Sequence, residues 1–384
     1  MNQKPIIIIG SGLAGYTVIR EFRKLESEIP IIMLSKDHGG FYSKPMLSNA
    51  LAKNKTSSTL LNSSAEKMAK QMQAVIRPFS KVVAINPSDK SITLQNKEKI
   101  NYSQLVLALG ANQMRLSLEG DGTNEMLSIN NLDDYCFFQD MIKNKKDIAI
   151  LGAGLIGCEF ANDLAISGYN THVIDINKHP LGNLLPSVGG AFLKRKLEAI
   201  GVSFHFNSIT RKVEKVEKKL QLTLTNGKMI QTDILLTATG LVPNISLAKE
   251  AGIKVNRGIV VNHLLQTNFN NIYALGDCAE IDNRVLPFVM PIMHAARALA
   301  ATLSKNPTQV KYPAMPILVK TPACPTVISP PNPETNGKWQ VKETPDSVKA
   351  LFKDSKNNLL GYALLGEAVN EKNMLTKDLP SVIK

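Results

Sequence analysis

Two glycine patterns are the residues in this chain best suited to chemistry on a nucleotide. In a GxGxxG pattern the first glycine allows a sharp turn out of a strand, the second lets a pyrophosphate approach the backbone, and the third lets helix and strand pack closely. Two such patterns in one chain predict two nucleotide cofactors, with electrons passing from one to the other. Their positions are Gly10, Gly12 and Gly15, then Gly152, Gly154 and Gly157.

Each pattern follows an apolar run and opens a predicted helix. Ile6–Ile9 is a β-branched run typical of a buried strand, and residues 13–25 have the pattern of a helix. The second copy repeats this arrangement with a strand at 148–151 and a helix at 155–164. The positive N-terminal end of each helix would face the phosphates.

The residue that ends the second strand of each unit predicts which nucleotide it binds. Asp175 ends the predicted strand 172–175, where it can accept hydrogen bonds from a ribose 2′-hydroxyl and repel a 2′-phosphate. The second unit is therefore predicted to bind NADH. In the first unit Ile31–Leu34 is followed by Ser35 and Lys36 instead of an acid, which departs from the usual pattern.

Length and composition predict a globular chain with several packed cores, since it has 384 residues of which 44% are hydrophobic. No run reaches the ~18 apolar residues of a membrane-spanning helix, and the first apolar run is too short for a signal peptide. We therefore expect no membrane insertion and a cytoplasmic location. Unpaired cysteines also favour a reducing compartment over a disulfide framework or a metal site; they are Cys136, Cys158, Cys278 and Cys324.

The net charge of +13 favours an acidic binding partner. The basic residues are spread along the chain, with modest clusters at 143–146, 194–196 and 211–219. No groove-reading motif accompanies these clusters, so nucleic acid is not the expected partner.

The order of predicted elements divides the chain into three parts. Residues 80–94 alternate as antiparallel strands do, and 105–110 form the strand by which the chain leaves its first domain. After a second unit with a hairpin at 220–230, the chain returns with a strand at 272–277 and a helix at 292–303. We predict an α/β fold with two Rossmann-like dinucleotide-binding domains, the second inserted in the first, and a small C-terminal α+β domain. The predicted limits are 1–112 with 245–312, then 113–244, and finally 313–384.

A third motif strengthens the nucleotide interpretation. Thr267 precedes the string Ile272, Tyr273, Ala274, Leu275, Gly276 and Asp277. With this motif the chain resembles the flavoprotein reductases of the pyridine nucleotide-disulfide oxidoreductase superfamily, which implies FAD in the first domain and NAD(P)H in the inserted one. Asp277 would hydrogen-bond the ribityl chain of the flavin. The resemblance implies these FAD-binding residues: Gly10, Ser11, Gly12, Leu13, Ala14, Gly15, Ser35, Lys36, Lys44, Val82, Glu159, Asp277, Val289 and Lys320.

Two segments resemble one branch of this superfamily. Residues 42–48 (YSKPMLS) and 320–325 (KTPACP) are similar to those of rubredoxin reductases, especially those serving alkane hydroxylation. The resemblance implies that Lys44 and Lys320 approach the flavin and that Glu159 pairs with Lys44, so these are the predicted catalytic residues. Independently, Glu159 lies in an apolar helical string, where a buried carboxylate needs a cation or a donor. The alternative is a helix acid that faces solvent.

The cysteine positions predict how electrons leave the flavin. Disulfide reductases of this fold carry a cysteine pair soon after the first unit, whereas this chain has no cysteine before Cys136. The terminal histidine pairing of those enzymes is not matched by His205, His263 or His294, which we expect to be structural or solvated. Electrons should therefore pass directly and singly to a carrier, and the resemblance implies rubredoxin, an acidic one-iron protein.

Positive charge beside the reduced flavin is expected from Lys320 and from the helix N-terminus at Met290 and Pro291. Two alternatives remain open at this point. One is an NADH-ferredoxin reductase of an oxygenase chain, and the other is a signalling flavoprotein that responds to NADH without reducing a carrier. The sequence also leaves open the oligomeric state, the terminal oxidase or hydroxylase, and the carrier-docking residues.

Overall fold

The computed structural model describes residues 3–383, in which a parallel five-stranded sheet forms the first nucleotide-binding unit. All its neighbouring strands are parallel. The strands are almost entirely aliphatic, because a parallel sheet is covered on both faces. In spatial order they are Ile272–Ala274, Gln104–Leu107, Ile6–Ile9, Ile31–Leu34 and Val75–Arg77.

The second unit is a parallel four-stranded sheet built from the intervening chain. Because Ile272–Ala274 returns to the first sheet after this unit, the second unit is inserted in the first, and the predicted fold class is confirmed. In spatial order its strands are Val202–His205, Asn170–Ile174, Asp147–Leu151 and Ile234–Thr237. An antiparallel three-stranded sheet accompanies it, formed by Thr210–Val216, Lys219–Leu224 and Met229–Thr232.

Two short strands pair where the chain crosses between the two parallel sheets. Ala111–Gln113 and Leu241–Pro243 run antiparallel, with Ala111 opposite Pro243. The predicted limits of the inserted domain fall within or beside these strands. Those limits stay a prediction.

The C-terminal region forms an antiparallel five-stranded sheet that packs on the second unit. Phe192 and Leu197, on the helix Ser187–Glu198, share one buried cluster with Val348 and Leu365 of this sheet. The second unit and the C-terminal region therefore have a common apolar core. The sheet strands, in spatial order, are Ile317–Val319, Thr326–Ser329, Leu359–Gly366, Ser347–Lys353 and Lys338–Glu343.

Two helices follow the glycine patterns: the first glycine helix, Leu13–Arg23, and the second glycine helix, Leu155–Ile166. The first ends two residues earlier than predicted. Among residues 3–383, no helix combines the length and apolar character needed to cross a bilayer. The remaining α-helices are Ser57–Leu60, Ala65–Met72, Leu132–Met141, Ser246–Glu250, Val289–Leu303 and Lys372–Thr376. The 3-10 helices are Lys44–Asn49, Asp121–Glu125, Gly276–Cys278 and Glu367–Glu371.

The smaller strands belong to residues 41–101 and 259–281, outside the inserted unit. Val82–Asn86 pairs with Ser91–Leu94 as the alternation of residues 80–94 predicts. The predicted strand 272–277 is wrong at its end, because the chain leaves the strand after Ala274 and Gly276 has a φ of +78°. The remaining strands are Lys99–Asn101, Phe41–Tyr42, Leu61–Ser63, Ile259–Val261 and Ala279–Ile281.

Candidate active site

The first glycine turn, residues 10–15, is closely packed at two of its glycines and open at the third. Gly10 has a φ of +115°, and a Cβ on it would overlap the carbonyl oxygen of Ala108. A Cβ on Gly15 would overlap the carbonyl oxygen of Gly10. In contrast, no heavy atom lies within 4 Å of the position a Cβ would take on Gly12. The open space lies at the start of the first glycine helix, where backbone N–H groups can bind an anion, so these residues fit a dinucleotide.

The second glycine turn, residues 152–157, repeats this geometry. Gly152 has a φ of +103°, and a Cβ on it would lie 2.6 Å from the carbonyl oxygen of Ala238. A Cβ on Gly157 would overlap the carbonyl oxygen of Gly152, whereas the space beside Gly154 is open to 4 Å. The second turn therefore fits a second pyrophosphate by the same argument.

Asp175 lies directly after the strand Asn170–Ile174 and beside the second glycine turn. One carboxylate oxygen accepts a hydrogen bond from Ala153 N at 2.5 Å. The other accepts from Asn177 N at 2.7 Å and from Asn177 Nδ2 at 2.8 Å. These bonds hold the carboxylate at the edge of the turn, where a ribose would meet it.

The first unit carries an acid that the strand-end pattern does not predict, Asp37. The buried Ser35 side chain donates to the Asp37 carboxylate at 2.5 Å, and Gly39 N donates at 2.9 Å. Burial acts to raise the pKa of Asp37, but these hydrogen bonds outweigh it and hold the pKa below its ordinary value. The hydroxyl oxygens of Ser11 and Ser35 are 2.7 Å apart. The acid stands two residues beyond the usual place, and its proximity to Ser35 in sequence was the available signal.

The later flavin motif meets the first glycine turn in space. A Cβ on Gly276 would lie 3.1 Å from the Cβ of Ala14, which brings the half-buried Asp277 to the mouth of the turn. The helix whose N-terminus is expected to supply positive charge begins at Val289, one residue before Met290 and three residues before the predicted helix 292–303. It packs against the first glycine helix through the shared core.

Lys44 contacts a different partner from the one expected. Its Nζ donates to Asn130 Oδ1 at 2.6 Å, and Asn130 Nδ2 donates to Ala111 O at 3.0 Å, where the chain crosses between sheets. Burial lowers the pKa of Lys44, and the charge of nearby Asp277 acts in the opposite direction. Burial in turn raises the pKa of Asp277, against the charge of Lys44. The two groups therefore sense each other's charge.

Glu159 pairs with Lys320, so the expected pairing with Lys44 is wrong. Lys320 Nζ forms an ion pair with one carboxylate oxygen of Glu159, and Lys320 N donates to the other at 2.9 Å. Ser48 Oγ donates to the same carboxylate at 2.5 Å. The residue is 4% exposed, which also excludes the alternative of a solvent-facing helix acid. The pairing differs because the 3-10 helix Lys44–Asn49 turns Lys44 towards Asn130 and Ser48 towards Glu159.

The remaining predicted FAD residues lie in different environments. Leu13 and Ala14 form the first turn of the first glycine helix, and Lys36 is exposed beside Asp37. Val82 is buried in the core of the first unit, whereas Val289 is 42% exposed at the start of its helix. Two residues before Val82, Ser80 N donates to Ser35 O at 2.7 Å, which places this part of the chain beside the residue that contacts Ser11.

The cysteines do not supply a redox pair within residues 3–383, because all four are free there. Cys158 is buried in the second glycine helix, and burial raises the pKa of its thiol. Cys136 is exposed on a different helix. His263 contacts Asp282, and His205 contacts His172, so neither lies among the groups described above.

Comparison with known protein families fits this geometry. Residues 4–301 match the pyridine nucleotide-disulphide oxidoreductase family. The chain belongs to this family. Residues 309–379 match the rubredoxin binding C-terminal domain. This second match covers the antiparallel sheet that packs on the second unit.

Similar proteins cover almost the whole chain. The rubredoxin-NAD(+) reductase of Alcanivorax borkumensis is 45% identical over 380 residues, with 99% of each chain covered. The rubredoxin-NAD(+) reductase of Acinetobacter baylyi is 45% identical over 387 residues, covering 99% of this chain and 98% of the relative. In fold, the chain is similar to a ferredoxin reductase from Rhodopseudomonas palustris, with a TM-score of 0.89 and 21% identity, covering 99% of this chain and 96% of that one.

Proposed function

We propose that this protein is an FAD-dependent reductase that passes electrons from NADH to rubredoxin. The observation that carries the proposal is the contact between Glu159 and Lys320, because it joins the second glycine helix to the rubredoxin-binding domain, just after that domain's first strand. The relatives at 45% identity support the same acceptor. The C-terminal match favours rubredoxin over ferredoxin.

When bound, the flavin supplies a group that accepts a hydride as two electrons and releases them singly. The first glycine turn would bind its pyrophosphate at Gly12, and Asp37 would accept hydrogen bonds from the adenosine ribose. Asp277 would bind the ribityl chain. The chain's own contribution near the ring would be positive charge, from Lys44 and Lys320.

The second glycine turn would bind NADH. Its pyrophosphate would lie in the open space beside Gly154, at the start of the second glycine helix. Asp175 would accept the ribose hydroxyls and repel a 2′-phosphate, which favours NADH over NADPH. Held in this way, the nicotinamide would reach the flavin in a reactive orientation.

Anaerobic stopped-flow mixing tests this function. We expect NADH to bleach the flavin absorbance faster than NADPH, and rubredoxin to reoxidise the reduced enzyme rapidly. Rapid reoxidation by ferredoxin but not by rubredoxin would show that the acceptor is ferredoxin. Slow reoxidation by both carriers would contradict a carrier reductase and support a signalling flavoprotein. Protein that stays colourless after gentle purification and addition of FAD would contradict the flavin itself.

The finer setting of the reaction belongs to the same proposal. We infer a cytoplasmic location from the unpaired cysteines, and an alkane hydroxylase as the terminal consumer from the resemblance of residues 42–48 and 320–325. A fractionated cell extract tests the first. Loss of growth on alkanes when the gene is deleted, with growth on other carbon sources kept, tests the second.

A further inference from the structure

One face of the second glycine helix carries three buried polar side chains, which is unusual for a Rossmann helix packed in a core. Glu159, Asn162 and Asp163 are spaced three and four residues apart, so they share this face. Glu159 is 4% exposed and the other two are fully buried. Buried polar groups persist where they make hydrogen bonds, so their partners indicate what the face does.

Asp163 holds the chain just after the 3-10 helix that begins at Lys44. Its two carboxylate oxygens accept from Leu51 N at 2.9 Å and from Ala52 N at 3.0 Å. A carboxylate that accepts two backbone N–H groups fixes both the position and the direction of that backbone. The segment that carries Lys44 is therefore anchored on the second glycine helix.

Asn162 holds the other lysine segment. Its Oδ1 accepts from Ala323 N at 3.1 Å, three residues after Lys320. Glu159 holds the backbone N–H of Lys320 itself. One helix face therefore fixes both segments, although they lie about 270 residues apart in the chain. The two segments also contact each other directly, because Asn49 Nδ2 donates to Lys320 O across 271 positions.

We propose that Asn162 and Asp163 are positioning residues that couple nucleotide binding at the second glycine turn to the placement of Lys44 and Lys320. The start of this helix is the proposed pyrophosphate site, and its next two turns hold the lysine segments. A nucleotide that orders the start of the helix would thereby order both segments. This inference rests on the proposed function, because it assigns the nucleotide to this turn.

Hydrogen exchange on the FAD-loaded wild-type enzyme tests the coupling directly. The probe is ADP-ribose, which carries the adenosine and pyrophosphate of NADH but no nicotinamide, so it does not reach the flavin. We expect slower exchange at the Leu51, Ala52 and Ala323 amides when ADP-ribose binds. The matched control within the same chain is the pair Lys146 N and Asp147 N, which donate to Asp233 at 3.0 and 2.9 Å. Exchange there should not change.

The substitution Asp163→Asn gives a second readout. Its amide would keep one acceptor but place an N–H₂ group against the other backbone N–H. We expect flavin reduction by NADH to slow by about ten-fold or more, as for a small misplacement of reacting groups, with the dissociation constant of ADP-ribose kept. The slowing of exchange at Ala52 should also be lost. Asp233→Asn, which changes the same kind of contact elsewhere in this unit, should leave both quantities unchanged.

The outcomes separate this inference from the proposed function. If NADH fails to reduce the wild-type flavin, the proposed function is wrong. If NADH reduces it but ADP-ribose leaves the exchange at Leu51, Ala52 and Ala323 unchanged, only the coupling is wrong. Reduction of Asp163→Asn at the wild-type rate would also overturn the positioning role, and the wild-type exchange experiment remains decisive if that variant does not fold.

Discussion

The two nucleotide units have nearly the same glycine turn, but the helices that follow bury different kinds of side chain. The Ncap residues Gly12 and Gly154 share φ and ψ to within about 10° (−75° and −175°, against −74° and −168°). The first glycine helix buries mainly aromatic and aliphatic side chains, such as Phe22. The second buries Glu159 and Asp163 beside apolar side chains such as Phe160. The shared turn thus determines how the backbone would bind a pyrophosphate. The buried residues of the rest of the helix determine which other segments contact the nucleotide-binding helix.

Charge divides the units in the same way. Residues 1–112 and 245–312 carry 22 Lys or Arg and 11 Asp or Glu, whereas residues 113–244 carry 14 of each. The positive net charge therefore lies mainly on the segments predicted to bind FAD, with a small excess after residue 313. A field centred there would attract an acidic carrier towards the flavin and not towards the NADH site.

Replacing one glycine in each turn should have the largest effect, because each substitution should remove a different nucleotide. Gly10→Ala would place a methyl group on the Ala108 carbonyl at a φ of +115°, and we expect loss of bound FAD with destabilisation of about 1–3 kcal/mol or more. Gly152→Ala should keep the flavin and lose NADH binding. The flavin absorbance per protein and the NADH titration measure both effects.

Gly12→Ala and Gly154→Ala are the matched controls, because a Cβ at either position meets no protein atom within 4 Å. They should fold normally and weaken only the nucleotide at their own turn. Equal loss of FAD from Gly10→Ala and Gly152→Ala would contradict the assignment of one nucleotide to each turn.

The acids at the strand ends should give the next largest effect. Asp175→Ala removes the charge that repels a 2′-phosphate, so the preference for NADH over NADPH should fall by about ten- to a hundred-fold in kcat/KM. Asp37→Ala should weaken FAD retention without changing the nicotinamide preference. Steady-state kinetics with both nucleotides checks this pair, and an unchanged preference in Asp175→Ala would show that another group selects NADH.

Single charges should matter less. Lys53→Gln, in the segments 1–112 and 245–312 that carry the excess positive charge, should slow rubredoxin reduction by about two-fold at low salt, and the difference from wild type should shrink as ionic strength rises. Lys218→Gln is the control, since Lys218 is equally exposed but belongs to the unit with balanced charge. Reduction rates that do not depend on ionic strength would exclude electrostatic steering.

The smallest effect should come from a histidine pair that only the second sheet contains. His172 Nδ1 lies 3.3 Å from His205 Nε2, and Lys228 Nζ lies 3.2 Å from His205 Nδ1. Burial, with the charge of Lys228, lowers the pKa of His205 from 6.5 to about 4. The unfolded chain therefore binds a proton at higher pH than the folded one, and stability should fall as the pH drops from 6.5 towards 4.

His205→Gln cannot take up this proton. Its free energy of unfolding should therefore fall by about 1 kcal/mol less than that of wild type over that pH range, given the partial exposure of the group. Chemical denaturation at pH 7 and pH 5 measures the difference. The same acid dependence in variant and wild type would show that other groups cause it.

Much of the fold could be predicted because its signals are local. The strand Ile6–Ile9 has the predicted limits, and the second glycine helix begins at the predicted residue, because apolar runs and glycine spacing act over a few positions. The predicted ends of the helices and of the strand 272–277 were less accurate. Those limits depend on tertiary contacts such as the close approach of Ala14 to Gly276, where a Cβ would lie 3.1 Å from the Ala14 Cβ.

The candidate site divides in the same way. The two glycine turns and Asp175 follow from spacing along the chain. Asp37 was missed because a strand-end acid two residues late still reaches the turn through Ser35, which spacing alone does not reveal.

The sequence by itself determined that this protein has two glycine turns of the dinucleotide-binding type and that no cysteine stands before Cys136. Only the tertiary structure decided that Glu159 pairs with Lys320 and that Lys44 bonds to Asn130. The physical reason is that a buried carboxylate must have a cation and donors, but the sequence does not say which one folding brings near. Here the partner comes from 161 residues away, directly after the first strand of the C-terminal sheet.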